Sequence, residues 1–542
     1  MGFTPLKSPY NNVNEALKAT VDEYPDNIAI AFYYQDKEII LTYKEFYEKV
    51  IKFANGLKAV GFKKGDKIGI ILSNLVEFVV SFYSCLQIGA IGCSIIKMLK
   101  PSEIADISGN SELKGIIISG DQKRIVKKCL KKTPNLKFVF SVGDKEMSGL
   151  ESAEVIKFWE LAEERGSLAT IKEDIGLDDW ATINFTSGTT GKPKGTIHTH
   201  RNYVFAGLAQ QISTKSTSED VIVLILPMYH IFGLSVMNSI LTKGGKLMML
   251  PGFLVQDCLK LLTDPEVTSF AAVPAMYHIM LSQKNIEDFI GKFSPKLKGL
   301  ISGGAPLPLG LIKRMEKTFI DTNGKQIPIC EGFGTTEDSV YGAVNQWDGK
   351  IKYGTVGLPM PGGRILCVDD DGNPVPIGER GEIVVQNPGV MLGYYKMPEQ
   401  TNKTLKSVKG EEGIWYYTGD IGLIDDEGYI SIVDRKKDLV IVGGRNVIPR
   451  DVEEVLFMHS KIDDATVVGA PHEVMGETIR AIIVLKEGEE MTEQEVKDHV
   501  AEHMADYKVP RIVEFVKSLK KTSTGKVLKK DYRASFEQIK GD

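Results

Sequence analysis

The segment that could do the most chemistry is Ile183-Asn-Phe-Thr-Ser-Gly-Thr-Thr-Gly-Lys-Pro-Lys-Gly195. An apolar, strand-like run leads into small hydroxylated and glycine residues, and Lys192 and Lys194 close the loop. Such a loop can turn backbone N–H groups, hydroxyls and a cation toward phosphate oxygens. It is not a Walker loop, which needs a Gly-Lys-Ser/Thr opening a helix, because Pro193 follows Lys192. Glycine and threonine also mark ordinary surface turns, and composition alone leaves that use open. Other residues read blandly by themselves. His230, alone after an apolar run, reads as a hydrogen-bonded core histidine, and Phe333 as a core aromatic. Asp420 in Thr-Gly-Asp reads as a turn residue, and Lys526 in a basic tail as a solvated charge.

These groups need elements to position them. Thr42 with Glu45 forms a capping-box start, and Phe46, Val50, Phe53, Leu57 and Val60 then recur at helical spacing up to Gly61. Residues 68–72, 115–119 and 138–142 read as buried strands, and 77–88 as a helix. Residues 221–241 are apolar for long enough to span a membrane. Pro227, His230 and Gly233 interrupt them, which favours a strand, a loop and a packed helix. Strands alternating with helices predict an α/β fold of layered subdomains with mainly parallel sheets.

After about Pro359 the texture changes. Turn clusters at 369–372 and 425–428 separate short strands near 383–386 and 429–433, so a β-rich subdomain is expected. A charge run over 434–438 precedes a small α+β unit. That unit has helices at 450–458 and 493–504 and strands at 465–468 and 479–485. The expected organisation is a large domain over 1–436 and a small mobile domain over 437–542.

The loop from Thr186 to Gly195 resembles the signature of the adenylate-forming superfamily, which includes acyl-CoA synthetases, 4-coumarate–CoA ligases, firefly luciferases and peptide-synthetase adenylation domains. Further matches follow in order: Pro227-Met-Tyr-His230, Ser302-Gly-Gly-Ala-Pro306, Glu331-Gly-Phe-Gly-Thr-Thr-Glu337, Tyr417-Thr-Gly-Asp420, Asp434-Arg435 and Thr524-Gly-Lys526. The resemblance spans essentially the whole chain. It implies an ATP-dependent ligase that joins a carboxylate to AMP, releases pyrophosphate, and passes the acyl group to coenzyme A.

By that resemblance Thr186, Ser187, Gly188, Thr189, Thr190, Gly191 and Lys194 cradle the β- and γ-phosphates. Gly303, Gly304 and Ala305 recognise adenine, with Phe333 stacked on it where most relatives have tyrosine. Glu331, Gly332, Gly334 and Thr335 belong to the same nucleotide motif, and Thr336 touches the α-phosphate. Glu337 with Thr186 would hold Mg2+, a hard ion that takes oxygen ligands. Asp420 accepts from the ribose hydroxyls with help from Arg435. Lys526 is the implied catalytic residue, arriving from the C-terminal domain. Lys437 is the implied hinge, and Gly443 and Gly444 the implied coenzyme A face. His230 lies between the acyl and thiol sites, and Phe232, Met276 and Val340 are candidate acyl-pocket walls.

Net charge is −5 and pI about 6.0, which argues against non-specific nucleic-acid binding. The six cysteines show no C-x-x-C spacing and suit a reducing, cytoplasmic setting. No secretory leader is expected in the first ten residues. The substrate expected is a medium- or long-chain fatty acid, with an aryl acid of the 4-coumarate or benzoate type as the alternative. From another class, a catalytically dead nucleotide-binding regulator is disfavoured because Lys526, Glu337 and Asp420 are all present. A homodimer is left open.

Overall fold

The computed structural model describes residues 5–35, 37–150, 152–186, 193–472, 474–521 and 527–533. Helix Tyr43–Ala59 shows how directly the pattern acts: Thr42 and Glu45 form the capping box, and Phe46, Val50, Phe53 and Leu57 are all buried. The cap contributes about 1 kcal/mol and each buried side chain roughly 1.5–3 kcal/mol, so burial of the apolar face dominates.

Two large sheets build the first part of the chain. In one, strands Lys67–Ile71, Ile91–Ser94, Gly115–Ser119, Phe138–Val142, Glu154–Lys157 and Trp180–Thr186 run parallel. Lys194–Thr199 and Gly393–Tyr394 extend that sheet antiparallel. In the other, Ile28–Tyr34, Val221–Leu224, Lys246–Met249, Ser269–Ala272, Gly299–Ser302 and Ile329–Phe333 run parallel. Lys37–Thr42 caps one edge of the second sheet, and Ala343–Val344 and Leu358–Pro359 the other. One continuous apolar cluster, from Val13 to Met360, draws on both sheets and their helices.

A third, antiparallel sheet comprises Arg364–Val368, Gly381–Gln386, Leu405–Lys406, Trp415–Ile424 and Ile430–Arg435. Its turns follow the sequence: Asp369 Oδ1 accepts from Asn373 N at 2.8 Å, and Asp425 Oδ1 from Tyr429 N at 2.8 Å. The short turn Lys436–Asp438 then leads to a fourth sheet. This comprises Val440–Val442, Arg445–Val447, Ile462–His472, Gly476–Leu485 and Ile512–Phe515, with helices Pro449–Phe457 and Glu493–His503. The apolar 221–241 segment is strand Val221–Leu224 followed by helix Ile231–Leu241. Among the described residues no helix is long and apolar enough to cross a membrane.

Candidate active site

A cleft of about 2700 Å³ lies where the large sheets, the antiparallel sheet and the C-terminal domain meet. The nucleotide-motif residues Gly303, Gly304, Ala305 and 331–337 line it. So do Thr186, Lys194, Asp420, Arg435 and Lys437, and the predicted acyl-pocket residues His230, Phe232, Met276 and Val340. Residues 187–192, which hold the predicted cradle positions Ser187, Gly188, Thr189, Thr190 and Gly191, lie outside the described residues, as does Lys526.

Parallel strands present their carboxyl ends at one crevice, the usual place for ligands in such sheets. Trp180–Thr186 ends at Thr186, Lys194–Thr199 begins at Lys194, and these two residues are cross-strand partners. Lys194 Nζ sits 4.9 Å from the centroid of the Tyr394 ring. Ser302 and Glu331 are register partners on neighbouring strands, so Gly303 and Gly332 emerge side by side. Glu331 Oε1 accepts from Leu307 N at 3.1 Å and thereby ties the two motifs together. Burial pushes the Glu331 carboxyl up to about 7, against the Leu307 N–H and the positive charge of Arg450.

The turn after Phe333 is tightly determined. Asp338 Oδ1 accepts from Thr335 N at 2.7 Å and Val340 N at 3.0 Å. Ser339 and Val340 both have φ 58, a left-handed conformation that costs a β-branched residue about 1–3 kcal/mol and persists only where its surroundings enforce it. Gly334 must stay bare, since a Cβ there would lie 2.6 Å from Val340 Cα. Burial, reinforced by the Glu337 charge, pushes the Asp338 carboxyl up to about 7 against the N–H groups it accepts from.

Beneath this turn is buried His198. Its Nε2 lies 2.7 Å from the Thr336 carbonyl, and its Nδ1 lies 2.9 Å from Asn184 Nδ2. A carbonyl only accepts, so Nε2 carries the hydrogen. Burial pulls this imidazole down to about 4, so it stays neutral and fixes the Thr336 backbone.

Glu337 is partly buried and points at the cleft. Tyr394 Oη donates to its Oε1 at 2.7 Å and, among the described residues, is the only donor to that carboxylate. A carboxylate with an oxygen to spare, facing the same cleft as the Thr186 hydroxyl, is a fitting donor set for a hard divalent ion. Asp420 is buried and its Oδ1 lies 2.6 Å from Arg435 Nε, its cross-strand partner.

Lys437 lies in the turn Lys436–Asp438, where burial pulls its ammonium below the usual lysine range. Arg533 donates to the Lys437 carbonyl at 3.1 Å and to the Asp438 carbonyl at 3.0 Å. Lys521 and Val527, which bracket the segment ending in Lys526, form a β-bridge and both line the cleft. Gly443 and Gly444 do not line it. They are exposed at a hairpin turn with φ 57 and 77, a conformation that itself calls for glycine.

His230 precedes helix Ile231–Leu241, donates its N–H to the Pro227 carbonyl at 3.0 Å, and has its ring 5.2 Å from that of Tyr229. Phe232 packs against the nucleotide loop, since a Cβ added at Gly303 would lie 3.2 Å from its Cε1. Apolar and polar walls therefore join at Gly303.

Sequence reasoning missed His198, Asp338, Tyr394, Arg450 and Arg533. Only Asp338 left a local trace, as the acid directly after Glu337. The others reach the site residues across more than 50 residues of chain: His198 to Thr336, Tyr394 to Glu337, Arg450 toward Glu331, and Arg533 to Lys437.

Residues 17–395 match the family described as AMP-binding enzyme, and residues 451–526 match AMP-binding enzyme C-terminal domain. A long-chain-fatty-acid–CoA ligase of Bacillus subtilis strain 168 is 31% identical over 551 residues, 97% of this chain and 94% of that protein. The crystal structure of ATP-bound MatB from Rhodopseudomonas palustris has a TM-score of 0.86 at 27% identity, covering 97% of this chain and 99% of that one. An o-succinylbenzoate CoA synthetase of Bacillus subtilis, in complex with its acyl-adenylate intermediate, has a TM-score of 0.81 at 25% identity, covering 96% and 98%.

Proposed function

The chain belongs to the AMP-binding enzyme family, and we propose that this AMP-forming acid–CoA ligase takes a medium- or long-chain fatty acid as its substrate. The observation that carries this reading is the apolar lining of the cleft beside the nucleotide motif. Phe232, Met276 and Val340 are apolar residues lining the cleft, and Phe232 lies against Gly303. A chain bound there would have its carboxylate at the polar junction. The relative named a long-chain-fatty-acid–CoA ligase, similar over nearly its whole length, supports the same choice.

The first step joins two anions, so the protein must neutralise charge and align the attack. In this reading a carboxylate oxygen attacks the α-phosphorus of ATP, and pyrophosphate leaves. Lys194 faces the departing phosphates. Glu337 and Thr186 would hold Mg2+, which when bound neutralises phosphate oxygens. Asp420 accepts from the ribose hydroxyls, with Arg435 holding its other edge. Phe333 offers a stacking face to the base. Lys526 would bring a flexible ammonium to the developing charge.

In the second step the coenzyme A sulfur attacks the acyl carbonyl, the thiol proton is lost, and AMP departs. Lys437 would act as the hinge that withdraws Lys526 and turns the Gly443–Gly444 side inward, with His230 lining the channel between acyl and thiol.

AMP formation with coenzyme A across a panel of acyl chain lengths, with 4-coumarate and benzoate included, tests this. Each added methylene inside the pocket is expected to raise kcat/KM by up to about fourfold, from roughly 0.8 kcal/mol of burial. An aryl acid outperforming every fatty acid overturns the substrate assignment and leaves the ligase class intact.

A further inference from the structure

Among the described residues, one cluster of side chains outside the cleft has the chemistry of a metal site. Helix Glu493–His503 is capped by Thr492 with Glu495 and sinks Val496 and Val500 into the C-terminal core. Its last turn reads His499-Val-Ala-Glu-His503, the His-x-x-Glu-His spacing of zinc-binding helices. Positions i, i+3 and i+4 share one helix face. One ligating atom from each of His499, Glu502 and His503 lies within 4.8 Å of the others.

Both imidazoles also have one nitrogen committed to a backbone carbonyl. His499 Nε2 lies 2.9 Å from the Val455 carbonyl, and His503 Nδ1 lies 2.8 Å from the His499 carbonyl. Carbonyls only accept, so each ring donates there and keeps a lone pair on its other nitrogen. Fixing the tautomer through a backbone carbonyl is the usual outer-shell arrangement of a metal-ligating histidine. The partial negative charge at a helix C-terminus favours a cation at the same place.

We propose that this turn binds a borderline divalent cation of the Zn2+, Co2+ or Ni2+ class through His499, Glu502 and His503, with water completing the coordination. Imidazole donors select these ions over Mg2+. None of the three residues lines the cleft, so the site is separate from the Mg2+ position at Glu337. All six cysteines are buried and offer no competing thiol site at the surface.

The test uses the full chain without an affinity tag, stripped with a chelator, then titrated with Zn2+ calorimetrically in excess Mg2+. One equivalent is expected to bind. His503→Gln and Glu502→Gln, both at exposed positions, should each weaken binding about tenfold or more while leaving the ligase rate unchanged. Co2+ loaded in place of Zn2+ should give a visible absorption band that His503→Gln removes. Undiminished Zn2+ binding by a His499→Gln/His503→Gln double variant with wild-type circular dichroism overturns the proposal, as does absence of binding by the wild-type chain.

Discussion

The two walls of the cleft are held by different means. The N-terminal wall is a buried web: His198 fixes the Thr336 carbonyl, Asp338 gathers Thr335 and Val340, and Tyr394 holds Glu337. The C-terminal wall is tied by polar contacts. Arg450 Nη1 donates to the Ile432 carbonyl at 2.7 Å, Arg450 N donates to Asp434 Oδ2 at 3.1 Å, and Arg533 clamps the connecting turn at Lys437 and Asp438. Among the described residues no apolar cluster joins residues before Lys436 to residues after Asp438. Exposed ion pairs contribute about 0–1 kcal/mol each, and domains without a shared apolar core move relative to one another by default. In the proposed two-step ligation the first wall would serve as a preset template and the second as a carrier.

The sharpest way to break this contrast is at the carrier's own contribution. Lys526→Ala should lower acid-dependent pyrophosphate release about 10²–10³-fold, the scale of losing one charge-stabilising group. Thioester formation from supplied acyl-adenylate should stay within a few-fold of wild type. Equal losses in both half-reactions would mean that the C-terminal wall is fixed.

A second test asks whether the carrier's charge reaches the template. Burial pushes the Glu331 carboxyl up to about 7, above its ordinary 4.5. A raised carboxyl gives stability that is full below about 4.5 and lost as pH rises to about 7, because the unfolded chain releases the proton first. Glu331→Gln removes that loss. Its thermal midpoint should rise relative to wild type between pH 5 and 7.5, by the equivalent of about 2–3 kcal/mol. Arg450→Ala, which takes away the C-terminal cation facing Glu331, should deepen the loss. A Glu331→Gln midpoint that tracks wild type across this range would show that its carboxyl titrates as if in water.

The same contrast explains what the sequence made legible. Periodicity and caps are local, so helix Tyr43–Ala59, strands Gly115–Ser119 and Phe138–Val142, and the split of 221–241 into strand and helix match the expectation closely. The cleft residues were found through motifs, and the residues that hold them were not. His198 reads as one more strand residue until the Thr336 carbonyl, 138 positions away, is brought over it. Gly443 and Gly444 show the opposite limit, since an exposed hairpin turn accounts for both in this arrangement.

A third test stiffens the connector. Lys437→Pro fixes one backbone angle and removes an N–H in the turn between the walls. In single-turnover measurements it should slow thioester formation about tenfold while leaving adenylation near wild type, because hinge residues need only absorb backbone rotation. Slowing of adenylation instead would place the hinge elsewhere.

The smallest effect probes the template from inside. Tyr394 does two things: its hydroxyl donates to Glu337 Oε1 at 2.7 Å, and its ring lies 4.9 Å from Lys194 Nζ. Tyr394→Phe keeps the ring and removes only the donor, a change of about 1 kcal/mol for one hydrogen bond. The Mg2+ concentration for half-maximal adenylation should rise a few-fold, with kcat at saturating Mg2+ unchanged, because Glu337 is left less firmly aimed. Tyr394→Ala also takes the ring from beneath Lys194, so it should raise KM for ATP in addition. A Tyr394→Phe enzyme with an unaltered Mg2+ requirement but a lower kcat would mean that the tyrosine acts on the reaction by another route. The preset wall would then owe the aim of the Glu337 carboxylate to the strained turn at Ser339 and Val340.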